Sequence, residues 1–140
     1  MATVRIRFDT SELERLAVDF SQAPGRIQRK APKVMRKTAL EIKSGMRRDL
    51  LAGMHNHGRT HIPDMSGAIN YDQLDAIGLA YEIGIDKDGG QGELGNFAAF
   101  GSPINNAPIF DHTDSMRREM PRLLRALGAV AEDSVFGGLK

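Results

Sequence analysis

Residues 26–54, RIQRKAPKVMRKTALEIKSGMRRDLLAGM, decide the fold of this 140-residue chain. At helical spacing, the apolar side chains between Ile27 and Met46 fall within one sector of about 140°. The arginine and lysine side chains occupy a separate sector of similar width. This separation predicts one long amphipathic helix over about 26–54, which Pro32 either opens or kinks.

The residues before this helix predict a strand and a shorter helix. Thr3-Val4-Arg5-Ile6-Arg7-Phe8 alternates between apolar and polar side chains, which is typical of a half-buried strand over residues 3–8. Ser11 and Glu14 have the spacing of a capping box, so a helix is expected over about 11–22. Pro24-Gly25 is expected to end that helix.

The second half of the chain predicts a hairpin followed by a helix. Two apolar runs with a short connection indicate an antiparallel hairpin over about 68–85. A Gly-rich loop is expected over 86–97, and a C-terminal helix over about 114–136, divided by Pro121 and capped by Thr113 or Asp114. The fold class expected for residues 1–140 is a single α+β domain, a small antiparallel sheet packed against the long amphipathic helix and the C-terminal helix.

Composition and charge limit the classes to which this protein can belong. Apolar residues make up 41% and charged residues 26% of the chain, and cysteine is absent, so disulfides and thiolate metal sites are excluded. We expect no membrane span. Residues 1–60 carry 13 Lys and Arg against 6 Asp and Glu, whereas residues 61–140 carry 6 against 12. This charge separation would suit head-to-tail contacts between copies, although a solvated helix face explains it equally well.

Two stretches resemble metal sites. Asp86-Lys87-Asp88 begins like a calcium loop, but Gly90, Gln91 and Phe97 occupy positions at which such a loop needs a ligand, a glycine and a glutamate. His55, His57, His61 and Asp64 are weak candidates for zinc, because one loop would supply every ligand. We therefore expect no metal and no cofactor. No nucleophile motif or paired carboxylate indicates catalysis, and we expect the protein not to be an enzyme.

The basic face of the long helix could contact phosphates, and this gives the alternative hypothesis of a cytoplasmic nucleic-acid-binding module. No recognition motif accompanies it, so a solvated face or a protein contact is favoured. The residues of this basic face are Arg29, Lys33, Arg36, Lys37, Lys43 and Arg47.

Three segments together carry a family resemblance: SGAINYD, LAYEIGIDKDGGQGELGNFAAFGSPINNAPIF and DSMRREMPRLLRALGAVAEDSV. Their order between about residues 62 and 135 resembles the neck, tail-completion or head–tail joining proteins of tailed phages, which are minor tail components. Two places differ from the family pattern. Ala98-Ala99 stands where an acidic residue is frequent, and Ile109-Phe110 replaces a more polar stretch.

The resemblance implies a structural virion protein that is assembled in the host cytoplasm and joins the tail to the head-side connector. It implies a ring, commonly sixfold, that contacts neighbouring neck proteins, the tail terminator or the tail tube, with DNA passing only as cargo and with no membrane partner. The matching residues would form the assembly interface: Gly92, Leu94, Gly95, Asn96, Phe100, Gly101, Asn105, Asn106 and Pro108.

Overall fold

The computed structural model describes residues 11–56, 63–86, 88, 94–102 and 107–137. In chain order its elements are α1 (Ser11–Asn56), a 3₁₀ helix (Pro63–Ala68), β1 (Ile69–Gln73), β2 (Tyr81–Ile85), α2 (Gly95–Phe100) and α3 (Asp114–Phe136). The two strands form an antiparallel sheet that packs on α1, as does α3. The α+β class is therefore confirmed. The strand predicted over residues 3–8 lies outside the described residues.

The two helices predicted over 11–22 and 26–54 are one helix, α1, with Pro24 and Pro32 in its interior. Its 46 residues span about 69 Å at about 1.5 Å per residue. Side chains connect the two sides of Pro24-Gly25, because Arg26 donates to Asp19 at 3.3 Å and to Gln22 at 2.8 Å. These side-chain contacts within α1 help to offset the backbone hydrogen bond that a proline removes.

Helix α3 runs antiparallel to α1. Near one end Arg26 Nη1 donates to the carbonyl of Ser134 at 3.0 Å, and Lys30 pairs with Asp133. Near the other end the buried Ser115 hydroxyl donates to the carbonyl of Ile42 at 2.9 Å. These contacts place α3, with 23 residues, along about half the length of α1.

The predicted bounds of α3 are confirmed, but Pro121 does not divide the helix. Pro121 lies on the exposed side of α3, and the helix continues past it although a proline removes one backbone donor. Thr113 is the N-cap residue without a side-chain capping bond. Its hydroxyl and backbone N–H donate to Asp111 at 2.7 and 2.9 Å. These bonds, together with Arg117, lower the pKa of the Asp111 carboxyl.

The hairpin is confirmed, with Ile69 opposite Ile85 and Gln73 opposite Tyr81. Its connection covers residues 74–80, because the second strand begins at Tyr81 and not at Ile77. Gly78 has a positive φ of 85°, a conformation that favours glycine. A methyl group on Gly78 would lie 3.3 Å from Cβ of Pro32, so the connection rests against α1.

The core lies where the hairpin, α2 and the segment before α3 meet the second half of α1. Helix α1 contributes one side chain per turn, and the other buried members come from four different segments. The cluster comprises Ile42, Met46, Leu50, Met54, Met65, Ile69, Ala98, Ile109 and Phe110. Ala98 and Ile109 are also joined by a backbone hydrogen bond of 2.7 Å. Ala98, Ile109 and Phe110 are therefore core positions, and the partly buried Ala99 packs against them.

We expect Asp75→Asn to weaken the hairpin connection at neutral pH and to make unfolding less sensitive to acid. One carboxylate oxygen of Asp75 accepts from the N–H groups of Gly78, Leu79 and Ala80 at 2.9, 2.9 and 3.2 Å. Desolvation raises the pKa of Asp75, but these hydrogen bonds together outweigh it and leave the pKa below its ordinary value. The stabilisation is complete above about pH 4 and is lost as the pH falls through the lower folded-state pKa.

Acid titration followed by circular dichroism, with hydrogen exchange of the hairpin amides, checks this expectation. Asp72→Asn is the control, because it removes the same charge but no hydrogen bond that the structure describes. Equal acid midpoints and equal amide protection for the two variants would contradict the assignment.

Candidate assembly interface

Three large apolar side chains project from α2 and the residue before it. Leu94, Phe97 and Phe100 are 38%, 52% and 66% exposed, and they follow one another at three-residue spacing. The ring of Phe100 packs edge-to-face on His112, with 4.9 Å between the ring centroids. We call Leu94, Phe97 and Phe100 the α2 apolar patch.

Two glycines and one alanine determine where this patch lies. A methyl group on Gly95 would come within 2.6 Å of Cγ2 of Ile85, so the absence of a side chain lets α2 approach β2 closely. Gly101 ends α2 with φ at 76°. Ala98, at 1% exposure, holds the inner side of α2 against the core, so Phe97 and Phe100 face outward.

The predicted interface residues are only partly brought together. Leu94 and Phe100 belong to the exposed patch, whereas Gly95 is buried beneath it and Gly101 is half-buried. Asn96 lies in α2, which begins within the predicted 86–97 loop, and Pro108 is exposed. Gly92, Asn105 and Asn106 lie outside the described residues. Phe97 has the same three-residue spacing from Leu94 and Phe100, so the sequence alone indicates all three as apolar anchors for a partner.

The outer edge of β2 is open within the described part of the chain. Leu74 donates to Ala80 and Asp86 donates to Ala68 across the hairpin, and hydrogen-bonded pairs alternate in an antiparallel ladder. The backbone groups of Tyr81, Ile83 and Ile85 therefore point away from β1, and no described residue bonds to them. A cleft of about 130 Å³ lies beside this edge, lined by Met46, Ile83, Gly84, Ile85, Gly95, Ala99, Phe100 and His112.

The outward face of the hairpin is acidic. Asp72 and Glu82 are directly opposite each other, and both are exposed. Asp86 continues the same face, because it pairs with Ala68 one step beyond Ile69 and Ile85. Like charges placed opposite each other destabilise a sheet, and no described cation pairs with these three carboxylates. Sequence reasoning did not single out this face, although the period of two along each strand indicates it.

The predicted basic face of α1 divides into two parts. Lys43 donates to Asn70 at 3.0 Å and lies 5.2 Å from the ring centroid of Tyr71. Arg47 donates to the carbonyls of Gly67 and Ile69 at 3.2 and 3.0 Å, and so covers the outer edge of β1. Four cations remain exposed without an ion pair to any described residue: Arg29, Lys33, Arg36 and Lys37.

The residues that the structure describes do not form either of the two metal sites suggested by the sequence. His55 is exposed in the last turn of α1, whereas His57 and His61 lie outside the described residues, as does the side chain of Asp64. Asp86 Oδ1 accepts from the backbone N–H of Asp88 at 3.0 Å, which is a turn contact. Among the residues the structure describes, no group of three histidine or carboxylate side chains could hold a metal ion.

Comparison of the chain with protein-family models, with curated proteins and with solved structures returned no match. No helix in the described ranges combines the length and apolar character that a bilayer span requires.

Proposed function

We propose that this protein is a structural subunit of a tailed-phage neck, acting in multiple copies as a tail-completion ring that helps join the tail to the head-side connector. The proposal rests on the ordered motif block between about residues 62 and 135. Its partners would be further copies of the chain and neighbouring neck or tail proteins, and DNA would pass through the ring as cargo.

The observation that supports this role best is the position of the α2 apolar patch. Large contiguous apolar patches on a soluble protein usually mark a contact site, whereas single exposed apolar residues do not. Leu94, Phe97 and Phe100 belong to the motif block, and Phe100 lines the cleft beside the open edge of β2. A surface that combines exposed aromatic rings with an unpaired strand edge is suited to contacts between proteins.

The basic helix supports the nucleic-acid alternative less well. Two of its six predicted cations, Lys43 and Arg47, hold the hairpin in place. The four that remain exposed accompany no base-stacking or groove-reading element in the described residues.

We expect Phe97→Ser with Phe100→Ser to prevent joining of tails to heads while leaving the subunit folded. Each ring is at least half exposed, so its replacement costs the isolated subunit little. Burial of the exposed part of each ring on assembly contributes about 1–2 kcal/mol, so each loss weakens the contact about fivefold to thirtyfold.

A phage that lacks this gene is complemented with the double variant or with a control variant, and joined and separate heads and tails are counted by negative-stain electron microscopy. Phe136→Ser is the matched control, because Phe136 is 50% exposed at the far end of α3. Separate heads and tails with the double variant, but not with the control, would agree with the proposal. Normal infectious particles without any copy of the gene would exclude it.

A further inference from the structure

A strand that pairs with the open edge of β2 would contact apolar surface on one face and acidic surface on the other. On its inner side Ile83 and Ile85 pack against the core, and the adjoining cleft is lined by Met46, Ala99 and Phe100. On its outer side Glu82 stands opposite Asp72. A strand added here would gain stability from apolar side chains on one face and cations on the other.

One segment of this chain has that pattern. Val4, Arg5, Ile6, Arg7 and Phe8 alternate between apolar and basic side chains. When residues 4–8 are placed beside the five residues of β2, the apolar side chains lie opposite the inward-facing Tyr81, Ile83 and Ile85. The two arginines then lie opposite Glu82 and Gly84, on the acidic face. Segment 3–8 lies outside the described residues, and the open edge of β2 complements its alternating pattern.

The length of α1 prevents segment 3–8 from reaching its own hairpin. The hairpin connection lies against Pro32, and β2 continues from there towards Met46. Pro32 is 21 positions after Ser11, about 31 Å along the helix. Eight residues from Thr3 to Ser11 extend at most about 29 Å, and the middle of the segment reaches about two-thirds of that distance.

We propose that segment 3–8 of one copy adds as a third strand to the open edge of β2 in a second copy. Val4, Ile6 and Phe8 then cover the cleft beside Phe100, and Arg5 and Arg7 lie near Glu82 and Asp86. The added strand supplies hydrogen bonds for the unpaired backbone of β2 and cations for a face whose carboxylates repel each other. One-way addition produces a ring or chain of subunits, and mutual exchange produces a dimer. The contact does not depend on a role in a phage neck.

Disulfide trapping tests the contact directly, because the chain has no cysteine of its own. Neighbouring residues on paired strands lie about 4.5–5.5 Å apart between Cα atoms, within the range that a disulfide spans. The full-length Arg5→Cys and Glu82→Cys proteins are mixed and oxidised, and one of them is isotopically labelled so that mixed dimers can be recognised. A second mixture uses Arg7→Cys in place of Arg5→Cys, because the register of the added strand can differ. Gln28→Cys, at an exposed position of α1, replaces Glu82→Cys as the control.

We expect mixed disulfide dimers with Glu82→Cys and background levels with Gln28→Cys. An Arg5→Cys/Glu82→Cys chain that closes its own disulfide at high dilution would show contact within one chain and would overturn the proposal. Equal trapping at the two positions would also overturn it.

Charge reversal gives a second measurement with the full chain. In sedimentation velocity, Arg5→Glu with Arg7→Glu is expected to raise the dissociation constant of self-association about tenfold, and Glu82→Arg in the same chain is expected to restore part of the loss. A wild-type protein that stays monomeric at every concentration would overturn the proposal. If a phage that lacks this gene forms normal virions while the purified protein still forms the expected disulfide dimers, only the neck role is excluded. The strand contact stands in that case, because disulfide trapping is measured on the purified protein.

Discussion

Replacing Leu50 by alanine is expected to lower the free energy of unfolding by about 2–5 kcal/mol. Leu50 is fully buried at the centre of the side chains that α1 contributes every fourth residue, with Met46 before it and Met54 after it. The hairpin and the segment before α3 contact this same cluster, so the cavity would open where several elements meet. For a domain stable by about 5–15 kcal/mol, this loss is a large fraction of the total.

The adjacent residue provides the control. Leu51 is 45% exposed, so Leu51→Ala removes the same atoms from a side chain that is only partly covered. Urea denaturation followed by circular dichroism measures both variants, and the shift in midpoint is expected to be several times larger for Leu50→Ala. Equal shifts would mean that the core does not lie on this side of α1.

Gly53→Ala is expected to destabilise the protein, although alanine normally stabilises a helix relative to glycine. A methyl group at Gly53 would lie 2.2 Å from the carbonyl oxygen of Ile109 and 2.9 Å from its Cγ2. Ile109 cannot withdraw easily, because its backbone N–H donates to Ala98 at 2.7 Å and its side chain is buried. Overpacking of this kind costs about 1–3 kcal/mol and occasionally more.

Gly25→Ala should change stability in the opposite direction. Gly25 also lies within α1, but no atom lies within 4 Å of the position its methyl group would take. The helical preference for alanine then acts alone and stabilises the protein by about 0.5–1 kcal/mol. Thermal or urea denaturation of the two variants gives the comparison. Stabilisation by Gly53→Ala would show that Ile109 does not pack against α1 as described.

Within the described residues, one edge of β2 has no neighbouring strand. A strand edge with unpaired backbone groups invites pairing with other chains, and a two-stranded sheet has little stability of its own. Here the sheet is held by Lys43 and Arg47 on the β1 side, which leaves the β2 side available. These contacts with α1 explain why the hairpin persists, and the open edge is where we propose that a strand from a second copy adds.

Local sequence patterns determined the main elements. The apolar period of residues 26–54, the alternation of the hairpin and the bounds of α3 could all be predicted, because each depends on neighbours along the chain. The same patterns were wrong at Pro24-Gly25 and at Pro121, where turn-forming residues occur within continuous helices. Contacts such as the hydrogen bond from Arg26 to Ser134 join residues that are far apart in the sequence. A local pattern cannot predict such contacts.

Only the tertiary structure decided which faces are covered and which remain available. Met116, Met120 and Leu124 have the helical spacing expected of a core face, yet they are 45%, 37% and 62% exposed. Lys43 and Arg47 belong to the basic face by sequence, but the hairpin engages them. Helical and strand periods show which side chains point the same way. Their burial depends on the element that packs against them, and that partner is set by contacts between residues distant along the chain.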